Sequence, residues 1–249
     1  MLDDDDFDFE TGPIGDTYTS GPEDGRGYNI DLTFVGGWSQ DLKEAAAMAA
    51  ETISDVIIGG LPDVTLGDGT RVDDLAITMT LDDIDGDFGT LAFAGPTSIR
   101  GLGELPATGI ATFDTADATT LQDAGEFATV ALHEMLHVLG FGTLWEIAGF
   151  DLLEDTADGP RFTGEAAIAA YEAAFPEIAA ADPFSDLGVP VEDRFGTGSD
   201  RGHWDEAVFG DAELMTPALD FGGDNTLTDL TIASLADLGY VVDSDMLFV

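Results

Sequence analysis

The stretch LHEMLHVL, residues 132–139, commits both sides of one helix. Leu132, Met135, Leu136 and Leu139 recur at i, i+3, i+4 and i+7, the spacing of an apolar helical face. His133 and His137 lie one turn apart on a different face. Glu134 sits about 100° further round the axis. A helix of this kind needs a hydrophobic layer on one side and chemistry on the other. Two imidazoles one turn apart reach a single metal ion. Glu134 is too displaced to join them easily, but it can address a water bound to that ion. A catalytic zinc takes three protein ligands and keeps one position open, so a third ligand has to come from elsewhere in the chain.

The chain has 3 histidines in 249 residues, and His203 is the remaining imidazole. The compact metzincin pattern HExxHxxGxxH would put the third histidine at position 143, which is Thr143. Gly140 and Gly142 bracket Phe141 just past the motif and let the chain leave the helix with positive φ. A carboxylate on a downstream helix is the other option, and Glu165 and Glu172 lie in such a helix. The chain contains no cysteine, which removes disulfides, cysteine catalysis, thiolate zinc fingers and iron–sulfur clusters. A structural zinc would usually be rich in cysteine and would have no use for Glu134.

HEMLHVLGFGTLW, residues 133–145, and GSDRGHWDEAVFGDAELMTP, residues 198–217, together resemble the leishmanolysin-like zinc metallopeptidases. In that metzincin branch an insertion separates the motif glycine from the third histidine. AGPTSIRGLGELPATGIATFD, residues 94–114, is similar to the bacterial members. The resemblance spans about residues 28–243. It implies that His133, His137 and His203 bind one catalytic zinc, across a gap of 66 positions between His137 and His203 (203 − 137). It implies Glu134 as the general base, Gly140 as the motif turn, and Met215 as the methionine turn forming a hydrophobic floor. The implied function is a zinc-dependent endopeptidase acting on protein or peptide substrates through a zinc-bound water activated by Glu134. Its substrate strand would add to an exposed sheet edge, for which Leu91–Ala94 is the candidate. The alternative is a zinc-stabilised, catalytically silent peptidase-like domain used for binding or adhesion. The eukaryotic members are disulfide-rich, whereas this chain must be held by packing alone.

The periodicities predict an α+β fold: a metzincin-like catalytic domain with a twisted mixed sheet, an active-site helix, a helical insertion before the third zinc ligand and a C-terminal helix. Tyr28–Val35 alternates as a half-buried strand, as do Leu75, Ile77, Met79 and Leu81. Ser39 caps a helix with apolar positions Leu42, Ala46, Ala49, Ile53 and Ile57, ended by Gly59, Gly60 and Pro62. Short strands follow at Leu91–Ala94 and Ile110–Phe113, then the motif helix over Gly125–Leu139. An alanine-rich helix over Glu165–Phe175 is stopped by Pro176, and a last helix starts near Thr228 and ends at Gly239. Residues 1–27, rich in Asp and Gly, read as an acidic, flexible lead-in. Residues 28–249 read as the catalytic domain, with the insertion over about 146–199.

Asp+Glu total 51 against 7 Lys+Arg, a formal net charge of −44. Such a surface repels nucleic-acid phosphates and anionic lipid headgroups and suits high salt, where self-repulsion is screened. The reading is a halophilic or marine, secreted protein whose export signal is not in this chain: MLDDDDFDFE is the opposite of a signal peptide's start. No apolar run approaches a membrane span. Asp83, Asp85 and Asp87 in DDIDGDFG resemble a fragment of a calcium loop, though the bidentate Glu is missing. A solvated acidic turn is the favoured reading, with calcium as the alternative. Trp145, Trp204 and Tyr240 read as core residues before pocket or oxyanion groups.

Overall fold

Alternation decides the central sheet. Ile30, Leu32 and Phe34 are buried on one face of β2 (Ile30–Val35). Leu75, Ile77 and Met79 are buried likewise on β5 (Leu75–Asp82). The structure is a computed structural model that describes residues 13–22, 27–101, 104–196 and 198–243. Its elements are mixed α+β, and the chain divides into two compact units. The first comprises the described residues up to Gly101 together with Pro106–Leu139.

In that first unit, β1 (Thr17–Thr19), β2, β5, β6 (Ala92–Ile99) and β7 (Pro106–Asp114) form one sheet in the order β1-β2-β5-β7-β6. The pairs β2–β5 and β5–β7 are parallel, while β1 and β6 add antiparallel at the two edges. The strand expected at Leu91–Ala94 is thus an edge strand, as the sequence reading required. A small hairpin, β3 (Val64–Thr65) with β4 (Arg71–Val72), lies in the crossover before β5. Helix α1 (Gln40–Val56) starts where Ser39 accepts the Leu42 N–H, and it buries Leu42, Ala46, Ala49 and Ile53.

Two differences from the sequence reading have clear causes. Part of the lead-in is a strand, because Thr17, Tyr18 and Thr19 pair with Thr33, Leu32 and Asp31. Residues 1–12 and 23–26 of that lead-in lie outside the described residues. An extra helix, α2 (Thr115–Ala124), precedes the motif helix. Asp114 caps it by accepting the Ala116 N–H, and Gly125 ends it at φ 76. The motif helix α3 therefore spans Phe127–Leu139 and does not begin at Gly125.

Helix α3 packs on α1 and on β6 and β7. Leu132, Met135, Leu136 and Leu139 are all buried, as their spacing predicts. The helix comes unusually close to the sheet at Gly109 of β7. A Cβ built there would lie 2.2 Å from Val138 Cγ1 and 3.0 Å from the Gly95 carbonyl oxygen.

The second unit comprises Gly140 onward with Glu104 and Leu105 among the described residues. It contains β8 (Leu153–Thr156), β9 (Gly159–Phe162) and β10 (Val189–Pro190) as an antiparallel sheet in the order β10-β9-β8. Its helices are α4 (Glu165–Ala174), α5 (Pro176–Ala181), α6 (Glu206–Phe209) and α7 (Asp229–Leu238). Pro176 does stop α4, but it also opens α5, where its fixed φ suits the first turn and its missing N–H costs nothing. Helix α4 lacks a side-chain cap of its own, since Gly164 stands there. Asp237 of α7 supplies it, accepting Ala166 N–H at 3.0 Å and Ala167 N–H at 2.9 Å. Helix α7 begins at the Thr228 cap and ends at Gly239, as expected.

Phe141, Trp145, Phe162 and Trp204 form the aromatic centre of this unit, with ring centroids 4.6–5.5 Å apart. Both tryptophans and Tyr240 are buried, in agreement with a core role.

Because a β-branched Val138 cannot easily swing aside, Gly109→Ala should destabilise the protein by about 1–3 kcal/mol through overpacking. In a Val138→Ala background the same change should cost clearly less, the remainder coming from the Gly95 carbonyl. Urea unfolding of the four variants checks this, and an equal cost in both backgrounds would refute the contact.

Candidate metal centre

Helix α3 sets two imidazoles against each other. His133 and His137 have ring centroids 4.8 Å apart at an interplanar angle of 74°, and their Nε2 atoms are 3.1 Å apart. A tetrahedral ion with Zn–N bonds of about 2.0–2.1 Å holds its ligand nitrogens roughly 3.3 Å apart. The two nitrogens therefore stand close to the edge that one zinc would span, and the donor chemistry fits that metal.

Glu134, between them in sequence, is buried and its Oε2 has no hydrogen-bond partner. Burial without a compensating donor pushes its carboxyl up to about 8. An orphaned carboxylate oxygen inside a protein is costly, and it is the second feature of α3 that calls for a ligand.

In the second unit, His203 is buried, and its Nδ1 lies 2.9 Å from the Ser199 carbonyl oxygen. A carbonyl only accepts, so Nδ1 carries the proton and the lone pair sits on Nε2, the arrangement a metal ligand needs. Burial lowers the pKa of this imidazole, which favours its neutral form. The His203 backbone is fixed on both sides. Glu192 N–H donates to the His203 carbonyl at 3.0 Å, and Val191 bridges Trp204 in antiparallel fashion.

Met215 is fully buried, and its carbonyl accepts the Trp204 N–H at 2.9 Å, so the Met215 turn lies directly beside the segment of His203. Gly140 ends α3 at φ 113, where a Cβ would stand 2.6 Å from the Leu144 side chain. A sharp exit from the helix at this point requires glycine.

Glu165 and Glu172 are both exposed on α4, and burial falls instead on Ala167, Ala170 and Tyr171. The acidic loop is also different from a calcium site. Ile84, Asp85 and Gly86 donate their N–H groups to Asp114 Oδ2 at 3.1, 2.8 and 3.0 Å. Asp85 accepts the Thr90 N–H and hydroxyl. The loop thus presents amides to a carboxylate, and Asp83, Asp85 and Asp87 do not gather as a ligand set.

Sequence reasoning missed two polar centres. Asp114 organises the loop and caps α2, and Glu213 is a fully buried carboxylate in the second unit. The Asp114-Thr-Ala-Asp run carried a capping signal. Nothing in the pattern around Glu213 separates it from the many surface acids.

A family model described as Leishmanolysin, among the M8 peptidases, matches residues 46–246, and the chain belongs to that family. It is accordingly a metallopeptidase of a zinc-dependent family. No curated protein matches the chain.

The Glu134 carboxyl gives a pH test on metal-free protein. Its pKa in the folded chain is raised from 4.5 to about 8, so folding favours the neutral form. That contribution is complete below the unfolded value and is lost as pH rises through the folded one. Stability measured by urea unfolding should therefore shift in favour of Glu134→Gln, relative to wild type, between about pH 5 and about pH 8. A difference that does not change with pH would show that the carboxyl is not held neutral.

Proposed function

We propose that the protein is a metzincin-type zinc endopeptidase, with His133, His137 and His203 as the ligands of one zinc and Glu134 as the general base. The observation that carries this reading is the convergence of the His133 and His137 Nε2 atoms beside a buried, unpartnered Glu134 in a chain of the leishmanolysin family. His203 completes the set in this reading because its Nδ1–H is engaged and its lone pair lies on Nε2. Met215 is the hydrophobic floor, buried beside the His203–Trp204 segment. Residues 28–249 are the catalytic domain, with the insertion over about 146–199.

Zinc, when bound, supplies a Lewis acid that acidifies a water and polarises a peptide carbonyl. Glu134 takes the proton released by that water on a carboxylate oxygen and passes it to the nitrogen of the departing amine. A carboxyl whose burial raises its proton affinity suits a group that must hold a proton between two transfers. The imidazoles act as neutral donors throughout, and the Ser199 carbonyl keeps His203 in the required tautomer.

The substrate is an extended protein or peptide segment that pairs beside the edge strand β6, where Phe93 is exposed. Secretion into a salt-rich medium accords with the net charge of −44. No helix among the described residues is long and apolar enough to cross a membrane.

Cleavage of unfolded casein, in low and in high salt and with zinc content determined, tests this. Wild type should cut with one zinc bound. Glu134→Gln should keep the zinc and lose about 10²–10⁴-fold in rate. His203→Ala should lose zinc. Zinc-loaded wild type that never cuts would favour a silent binding or adhesion domain, and full zinc retention in His203→Ala would move the third ligand to a carboxylate.

A further inference from the structure

Glu213, in the second unit, is a fully buried carboxylate that the proposed reaction does not use. Glu213 sits two residues before Met215, and its carboxylate accepts three hydrogen bonds, all from within its own unit. Its Oε1 accepts the Thr231 hydroxyl at 2.6 Å and the Met215 N–H at 3.3 Å. Its Oε2 accepts the Thr228 hydroxyl. Thr231 Oγ1 in turn accepts the indole N–H of Trp204 at 2.9 Å. Trp204 follows His203 directly and donates its backbone N–H to the Met215 carbonyl. Glu213, Trp204, Met215 and Thr231 are all fully or almost fully buried.

A buried carboxylate is a poor source of stability, because its desolvation cost consumes most of what pairing returns. What such a group supplies is direction. Here one carboxylate ties together three pieces of chain: the turn at Met215, the segment carrying His203–Trp204, and the first turn of α7. Thr228 belongs to both the network and the helix cap, since its hydroxyl also accepts the Leu230 N–H at 3.2 Å. Helix α7 is itself anchored on α4, both by packing and through Asp237. The path from His203 to α7 thus runs through Trp204 to Thr231, and Glu213, by accepting the Thr231 hydroxyl proton, turns that oxygen's lone pair to the indole N–H.

We infer that Glu213, acting through Thr231 and Trp204, is a positioning residue that fixes His203 and the Met215 turn in one geometry for metal binding. This rests on the three-histidine reading. Groups that orient a ligand without touching the metal typically contribute a factor of about 10–100 in affinity.

The test compares wild type with Thr231→Val, Glu213→Gln and Glu213→Ala. Zinc affinity is measured by chelator competition, the visible spectrum with cobalt in place of zinc, and the Trp204 indole N–H resonance in the metal-free protein. Thr231→Val is nearly isosteric and removes the acceptor of the indole N–H, so it carries the test if Glu213→Ala fails to fold. Thr231→Val and Glu213→Ala should weaken zinc binding about 10–100-fold and alter the cobalt spectrum. In Thr231→Val the indole resonance should also move. Glu213→Gln, which can keep the Thr231 and Met215 contacts through its amide oxygen, should stay near wild type.

Wild-type zinc affinity and an unchanged cobalt spectrum in Thr231→Val and Glu213→Ala, even with a lowered melting temperature, would overturn this inference alone. So would a Glu213→Gln protein as impaired as Glu213→Ala. A wild type that binds neither metal would overturn the three-histidine reading and this inference with it.

Discussion

The approach of α3 to the sheet at Gly109 governs where the chemical groups of that helix can stand. A helix that turns histidines and a glutamate to one side has only its apolar side to hold it in place. Leu132, Met135, Leu136, Val138 and Leu139 form that side, and all are buried. Val138 fits where β7 has no side chain, so the helix axis lies closer to the sheet than any larger residue would permit. His137 precedes Val138 in the chain, so a displacement of this contact moves an imidazole directly. The precision that a ligand pair needs is therefore set in the hydrophobic layer.

A second constraint comes from charge. With 7 Lys+Arg against 51 Asp+Glu, interior carboxylates cannot in general be matched with cations. The structure uses backbone amides and hydroxyls in their place. Asp114 accepts the N–H groups of Ile84, Asp85, Gly86 and Ala116, which hold its carboxyl below the usual range. Glu213 accepts two hydroxyls and an amide, yet its burial still pushes it up to about 7. Glu134 Oε2 has no donor among the described residues, and its carboxyl is raised furthest of the three, to about 8. One functional group is thus given three different proton affinities by its donors and its burial, the means by which a protein separates structural from reactive carboxylates. Arg161, one of the few cations, is spent inside the second unit, where it binds Asp182 and the carbonyls of Phe184 and Gly188.

Much of this architecture was legible in the chain. Period-2 alternation located β2 and β5, and the 3.6-residue period located α1, α3 and α7, because in each case one face is buried and the pattern records that burial; alanine richness and Pro176 located α4. Ser39 and Thr228 marked helix starts through a local hydrogen bond. Several of the missed features depend on contacts made only after folding. β1 is three residues long and exists through pairing with β2. The sheet β10-β9-β8 is built from two- and four-residue strands among turns. The cap of α4 comes from Asp237, about seventy residues away.

By itself the sequence determined the helix that carries His133, Glu134 and His137, its core side, and the family to which the motif belongs. These follow from local spacing and from residue types that allow few alternatives. Only the tertiary structure decided how close α3 lies to the sheet, that Asp85 accepts the Thr90 N–H and hydroxyl within a turn, and that Glu213 is fully buried. Each of these depends on which groups meet after folding, and an isolated Asp or Glu in a sequence carries no record of whether water, an amide or a hydroxyl will face it.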